Sequence, residues 1–187
     1  MSWSPRIAAA SVTLALLAAL AGCGGDDEST SDADARTATA DSASATLVQK
    51  GLAELAAGDT KAAKVTFENV VDIDPGNVYG HYNLGVIAQE AGDEKAAMKE
   101  YDAALATDGD FASALYNKAI LTESADLAAA VELYQKTVEV EPTMAAAFMR
   151  LGFALVELGR TDAGEEALGK GIALDPSMKD VQAPTYD

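Results

Sequence analysis

Three regimes of hydrophobic and polar positions follow one another along the chain. Ile7 to Leu20 is a block of fourteen residues of Ile, Ala, Val and Leu broken only by Ser11 and Thr13. As a helix it reaches about 21 Å at 1.5 Å per residue, short of the roughly 30 Å hydrocarbon core of a bilayer. Gly24 to Thr46 follows, rich in Gly, Ser, Thr, Ala and Asp, with six acids against Arg36 and no aliphatic side chain larger than Ala. Such a stretch buries too little apolar surface to offset the entropy of ordering it, so the pattern predicts a disordered acidic tether. From Leu47 onward the pattern becomes periodic.

Gly51 and Gly85 are 34 residues apart, and Gly152 lies a further 67 along, one step of 34 and one of 33. The same steps recur elsewhere. Gly58-Asp59 maps onto Gly92-Asp93, and Ala63 onto Ala97, Ala130 and Gly164. Phe67 maps onto Tyr101, Tyr134 and Leu168, and Asp74-Pro75 onto Asp108-Gly109, Glu141-Pro142 and Asp175-Pro176. Self-similarity at this period marks a stacked repeat architecture.

These residues resemble the tetratricopeptide repeat family: a small residue late in a first helix, a Gly-Asp-like turn, Ala and then an aromatic in a second helix, and an acid-Pro stop. The resemblance covers Ser44 to Met178 as four repeats, about 44–77, 78–111, 112–144 and 145–178, within a domain at 47–178 followed by a tail at 179–187. It implies an all-α fold, a right-handed superhelical solenoid of about four helix-turn-helix repeats. Small residues at position eight (Gly51, Gly85, Ala119, Gly152) and position twenty (Ala63, Ala97, Ala130, Gly164) are then expected where paired helices touch. The aromatic position supplies the large knob that fills space toward the next repeat. Pro75, Pro142 and Pro176 end the second helices, and Asn77 and Thr143 are the expected N-caps of the helices that follow.

Departures from the pattern carry expectations of their own. Repeat three has one residue fewer around Glu123-Ser124-Ala125-Asp126, which predicts a tighter hairpin turn. Repeat four carries Gly164, Gly169 and Gly171 in its second helix, each costing roughly 1 kcal/mol relative to Ala where exposed, so this helix is expected to be the least stable. Lys179 to Asp187 is too short and broken for a terminal capping helix.

The apolar block near the amino terminus follows a single basic residue, Arg6, and reads as the core of a signal peptide. It ends Leu20-Ala21-Gly22-Cys23, which resembles the lipobox of bacterial lipoprotein signal peptides. That resemblance implies removal of residues 1–22 and a diacylglyceryl thioether on Cys23, so residues 23–46 become a lipidated Cys and its tether. The implied location is extracytoplasmic, anchored to a bacterial cell membrane or outer membrane. Ala19-Leu20-Ala21 as the cleavage site of a freely secreted protein is the alternative reading.

Composition narrows the chemistry. Thirty acids against 13 bases leave −17, which repels a phosphate backbone and excludes nucleic acid as a natural partner. Removal of residues 1–22 deletes Arg6 and no acid, leaving 12 bases against 30 acids. One Cys permits no internal disulfide, and one Cys with one His permits no zinc site of the Cys/His kind. No nucleophile elbow or phosphate loop is present, and His81 has no partner at a spacing that makes it a base, so neither catalysis nor a cofactor is expected. The 40 alanines against 18 leucines fit helices that touch closely.

In this family the first helices line the inner, concave face. By resemblance, position six supplies a ladder of Gln49, Asn83, Asn117 and Arg150 able to hydrogen-bond an extended peptide. Tyr79, Tyr82, Tyr116, Met149 and Phe153 supply pockets, or else half-buried core. Cations are missing beside the asparagines, so specificity for a carboxyl terminus is not carried over. The resemblance implies an interaction scaffold or assembly factor that recruits an envelope protein. Two alternatives stay open: a small-molecule or lipid-binding component of a transport system, and self-association through the open face of repeat four.

Overall fold

The computed structural model describes residues 32–186, and these contain helices and turns but no strand. The helices are α1 (Asp32–Ala56), α2 (Thr60–Ile73), α3 (Val78–Glu90), α4 (Glu94–Thr107), α5 (Ala112–Thr122), α6 (Leu127–Val140), α7 (Ala145–Glu157) and α8 (Thr161–Leu174), followed by a 3-10 turn at Pro176–Asp180. Each odd-numbered helix packs most extensively on the even-numbered helix after it, and α2, α4 and α6 then meet the first helix of the next hairpin. The first helices α3 and α5 also touch each other. Four helix hairpins therefore stack in sequence as a superhelical solenoid, the expected fold class.

Close approach explains the small residues. A Cβ on Gly51 would lie 2.7 Å from the Phe67 ring, and one on Gly85 would lie 2.6 Å from the Tyr101 ring. Position eight is therefore emptied to admit the aromatic of the same hairpin. In repeat four Leu168 takes the aromatic's place, and the backbones themselves come together, with Gly152 and Gly164 Cβ atoms each falling within 3 Å of the other's carbonyl oxygen. The aromatics also reach forward as expected: Phe67 shares a core cluster with Leu84 and Ile87, and Tyr134 shares one with Leu151 and Leu155. Each cluster thus welds a hairpin to the next first helix.

Helix ends follow the acid-Pro and Gly-Asp signals. α2, α6 and α8 stop at Ile73, Val140 and Leu174, two residues before Pro75, Pro142 and Pro176. Gly58, Gly92 and Gly159 take φ of +80, +78 and +75°, the left-handed conformation in which a side chain is strained. Asp59, Asp93 and Asp126 accept the backbone N–H groups of Ala62, Ala96 and Ala129 and cap the second helices of repeats one to three. At the matching place in repeat four stands Arg160, which makes no side-chain cap bond.

Four expectations need correction. Residues 32–46 of the tether are helical and form about the first four turns of α1. They contain no Gly or Pro and several good helix-forming alanines. Ser44, near the end of this stretch, is already buried. The turn of repeat three is not tighter: α5 has 11 residues where α3 has 13, and four residues link α5 to α6 where three link α3 to α4. The missing residue is thus taken from the first helix, which stops early at the Glu123 cap. Thr143 does not cap α7; the N-cap is Met144, and the Thr143 amide and hydroxyl both bind Glu141 instead. Two of the three glycines of α8, Gly164 and Gly171, are buried where a Cβ would collide, so only Gly169 is a bare helix penalty. Asn77 caps α3 as expected, accepting from Gly80 N. Residues 1–31, including Cys23 and the signal-peptide assignment, lie outside the described residues.

Candidate functional site

The expected binding face is built on α1, α3, α5 and α7. Its aromatic centre lies between repeats two and three. Tyr79 is 53% exposed and meets Phe111 edge to face at 5.6 Å, and Tyr82 meets Phe111 edge to face at 5.2 Å. Phe111 is the N-cap residue of α5, a place where a capping side chain is ordinary, and here it contributes a ring instead. Tyr82 also leans on Tyr101 at 6.1 Å, and Tyr116 on Tyr134 at 5.9 Å. Such pairs prefer tilted or edge-on geometry because the ring edge is positive and the face negative.

The position-six ladder is largely engaged inside the protein. Asn83 is 5% exposed, and its Nδ2 donates to the Tyr79 carbonyl one turn earlier at 2.7 Å. Asn117 Nδ2 donates to the Tyr82 hydroxyl across the repeat boundary at 3.4 Å. Arg150 Nη1 binds Glu123 Oε2 at 2.8 Å, with both side chains nearly enclosed at 13 and 10% exposure. Its charge also acts on the Tyr116 phenol, opposing the rise that burial imposes there. Gln49 alone of the four is exposed. Arg150 therefore meets a carboxylate of its own chain, which corrects the expectation that its guanidinium is offered to an extended peptide. Met149 is likewise core rather than pocket: it is 5% exposed, and its sulfur would lie 2.8 Å from a Cβ on Gly171. Phe153 stays half-buried on α7.

A second polar pattern runs beneath the face. The Tyr101 hydroxyl donates to Gln89 Oε1 at 2.6 Å, and the Tyr134 hydroxyl donates to Glu123 Oε1 at 2.6 Å. Gln89 and Glu123 both stand at position twelve of their repeats, where repeat one has Leu55 beside the cluster of Phe67, and repeat four has Val156 with Leu168. A phenol is matched by an acceptor, and an apolar side chain by an apolar one. Position twelve taken together with the aromatic position, number twenty-four of the repeat, carries this signal in the sequence, although either position alone conceals it.

Electrostatics follow from burial. Desolvation pushes the Glu123 carboxyl above its ordinary value, with the bonds from Tyr134 and Arg150 pulling partly back. Burial opposes the Arg150 charge, yet Glu123 and the surrounding phenols outweigh it, so the guanidinium holds its proton more firmly than usual. Elsewhere, on α3, His81 Nδ1 contacts Glu100 at 2.8 Å and Nε2 contacts the Pro75 carbonyl at 2.9 Å, pinning α3 to α4 and to the preceding turn. Burial would raise the Glu100 carboxyl, but the bonds from His81 and Lys99 win and hold it low. The acid partner of His81 is 19 residues away, a spacing that emerges only once the hairpin is closed.

Two shallow hollows, of about 330 and 390 Å³, lie at the hairpin turns of repeats four and one and include none of the expected face residues. Among the described residues no His, Cys, Asp and Glu group has the makings of a metal site, and no helix is long and apolar enough to cross a membrane.

A stack of Gly-turned hairpins, with an aromatic ring seated on a glycine and a row of first helices presenting rings and amides, defines a tetratricopeptide repeat domain. The chain belongs to the tetratricopeptide repeat family, which matches residues 54–119 and 121–183. It is similar to the type IV pilus assembly protein PilF of Pseudomonas aeruginosa, 29% identical over 153 residues that cover 79% of this chain and 60% of that protein. A solved structure of Pseudomonas aeruginosa PilF superposes with a TM-score of 0.65 at 27% identity, covering 74% of this chain and 64% of that one. The crystal structure of MamA shares the fold, with a TM-score of 0.63 at 22% identity over 74% of this chain and 81% of that one. This chain spans about 60% of the length of its curated relative.

Proposed function

We propose that the chain is a membrane-anchored scaffold of the bacterial envelope, with a diacylglyceryl group on Cys23 and an inner face that receives an extended segment of another envelope protein. The observation that carries the binding role is the Tyr79–Phe111–Tyr82 cluster, whose outermost ring is left more than half exposed. Partly exposed aromatics beside buried ones are what protein interfaces favour, because they offer large apolar area at small entropy cost. The lipobox-like Leu20-Ala21-Gly22-Cys23 supports the anchor, and the likeness to a pilus assembly protein supports an assembly role over a transport one. Groove amides that bind internally leave recognition to rings and shape.

The test has two arms. Palmitate labelling in cells is expected to mark the wild type and to be lost in Cys23→Ala. A photo-crosslinking residue at Tyr79 is expected to capture an envelope protein that the same residue at Asp72, on the second helix of repeat one, does not. Equal capture from both places would remove the inner face as the binding surface. Self-association is the second reading, favoured by Leu158 and Leu174, both more than 40% exposed in repeat four. Light scattering that gives a monomer would dismiss it.

A further inference from the structure

After α8 the chain does not leave the solenoid. Asp175 accepts from the Ser177 amide at 2.9 Å and hydroxyl at 2.7 Å, starting the 3-10 turn, and that turn rests on α7 as well as α8. From Val181 the chain has no regular structure. Val181, Gln182 and Ala183 are exposed, whereas Pro184 and Tyr186 are half-buried. The Tyr186 ring packs on the core cluster of repeats three and four, the cluster that Tyr116 and Ile120 of α5 also pack against. Its hydroxyl is buried and has no hydrogen-bond partner among the described residues. The charges that act on that hydroxyl are those of Glu123, Arg150 and Glu157, of which Arg150 stands in the ladder expected to bind a partner.

We propose that Val181–Tyr186 is an internal ligand of the inner face, an extended segment that occupies repeats three and four through the Tyr186 ring and is displaced when a partner's extended segment brings an aromatic side chain to the same place. This rests on the reading of the inner face as a binding surface and adds its regulation. The ring contributes apolar contact, but the orphaned hydroxyl opposes it, since a buried donor without a partner carries the full cost of losing water. A contact with one favourable and one unfavourable part holds the segment without locking it. A partner that supplies an acceptor for the hydroxyl position, or a plain phenyl ring, escapes that cost and displaces the segment.

The experiment uses the full chain in detergent and a fluorescein-labelled peptide of residues 181–187 (VQAPTYD) as the probe, with VQAPTAD as control. The peptide is expected to bind the Tyr186→Ala protein at least tenfold more tightly than the wild type, and the control peptide neither. Tyr186→Phe, which keeps the ring and removes the orphaned hydroxyl, is expected to exclude the peptide at least as well as the wild type. Hydrogen exchange of residues 181–186 should quicken in Tyr186→Ala and slow in Tyr186→Phe. Equal binding to wild type and Tyr186→Ala, or binding to neither, overturns the proposal. A wild-type dimer that falls to monomer on adding peptide overturns it as well, by placing the segment on a second copy. No envelope partner enters these measurements, so their failure is separate from a failure to crosslink at Tyr79.

Discussion

The three glycines of α8 share one helix and one chemistry and differ only in what a methyl group would meet. At Gly169 a Cβ finds nothing within 4 Å. Gly169→Ala therefore gains the helix-propensity difference alone, about 1 kcal/mol of added stability. At Gly164 a Cβ falls 2.6 Å from Val156 Cγ2, 2.8 Å from the Gly152 carbonyl oxygen and 3.0 Å from Val156 N. Two of those neighbours are backbone and cannot swing aside, so the helices must part. Overpacking of this kind costs about 1–3 kcal/mol, which offsets or exceeds the propensity gain and leaves Gly164→Ala less stable by up to about 2 kcal/mol. Gly171→Ala falls between, because its nearest obstacle at 2.8 Å is the sulfur of the flexible Met149, although the Ala145 carbonyl stands close behind at 3.1 Å. In a chain of this size 1 kcal/mol moves the melting midpoint by about 3 °C, within reach of circular dichroism in thermal and urea unfolding. Because stacked repeats open from their ends, hydrogen exchange of α8 should show the same order with larger contrast. An order other than 169 above 171 above 164, or a loss at Gly169, would refute the packing argument.

Three further outcomes follow from the structure. Arg160→Asp should restore at α8 the cap that Asp59, Asp93 and Asp126 provide elsewhere, raising stability by about 1 kcal/mol in urea unfolding. Tyr101→Phe should cost about 1 kcal/mol by unpairing Gln89, and Gln89→Leu added to it should recover most of that loss, as Leu55 and Phe67 already coexist in repeat one. Tyr134→Phe should move the Glu123 carboxyl titration, followed by NMR, still further above its ordinary value, since it removes a donor that pulls the value down. A carboxyl that titrates higher folded than unfolded binds more protons in the native state. Stability contributed at Glu123 therefore falls as pH rises from the ordinary carboxylate value through its folded midpoint, and more so in the variant.

What was legible in the sequence was whatever repeats. Gly51, Gly85, Phe67 and Tyr101 declare their contacts because the step of 34 sets them side by side, and the Gly-Asp turns and acid-Pro stops mark helix ends for the same reason. The inner face was legible as a location but not as a chemistry. Asn83 and Arg150 occupy the expected ladder, yet whether an amide or guanidinium faces outward depends on neighbours brought from 4 and 27 residues away, the Tyr79 carbonyl and the Glu123 carboxylate. Met149 carries the same ambiguity, since only the presence of Gly171 opposite it decides that it packs inward. Features that occur once were not legible. The helical start of α1 was misread because alanine serves both a soluble helix and a polar tether, and the return of Tyr186 has no counterpart in any other repeat to compare it with.

The matched pairs at positions twelve and twenty-four divide the chain into units of exchange. Each of these two phenols finds its acceptor within its own hairpin, so a duplicated or transplanted hairpin carries its polar accounts closed, and the Tyr101 hydroxyl would keep its partner on moving. The bridges between hairpins obey the opposite rule: Asn117 with Tyr82, Lys118 with Asp102, Lys136 with Asp110 and Arg150 with Glu123 each join one repeat to its neighbour. Repeats two and three are thus self-sufficient inside and particular about company outside, and shuffling them would preserve every hairpin while scrambling the order in which they recognise one another.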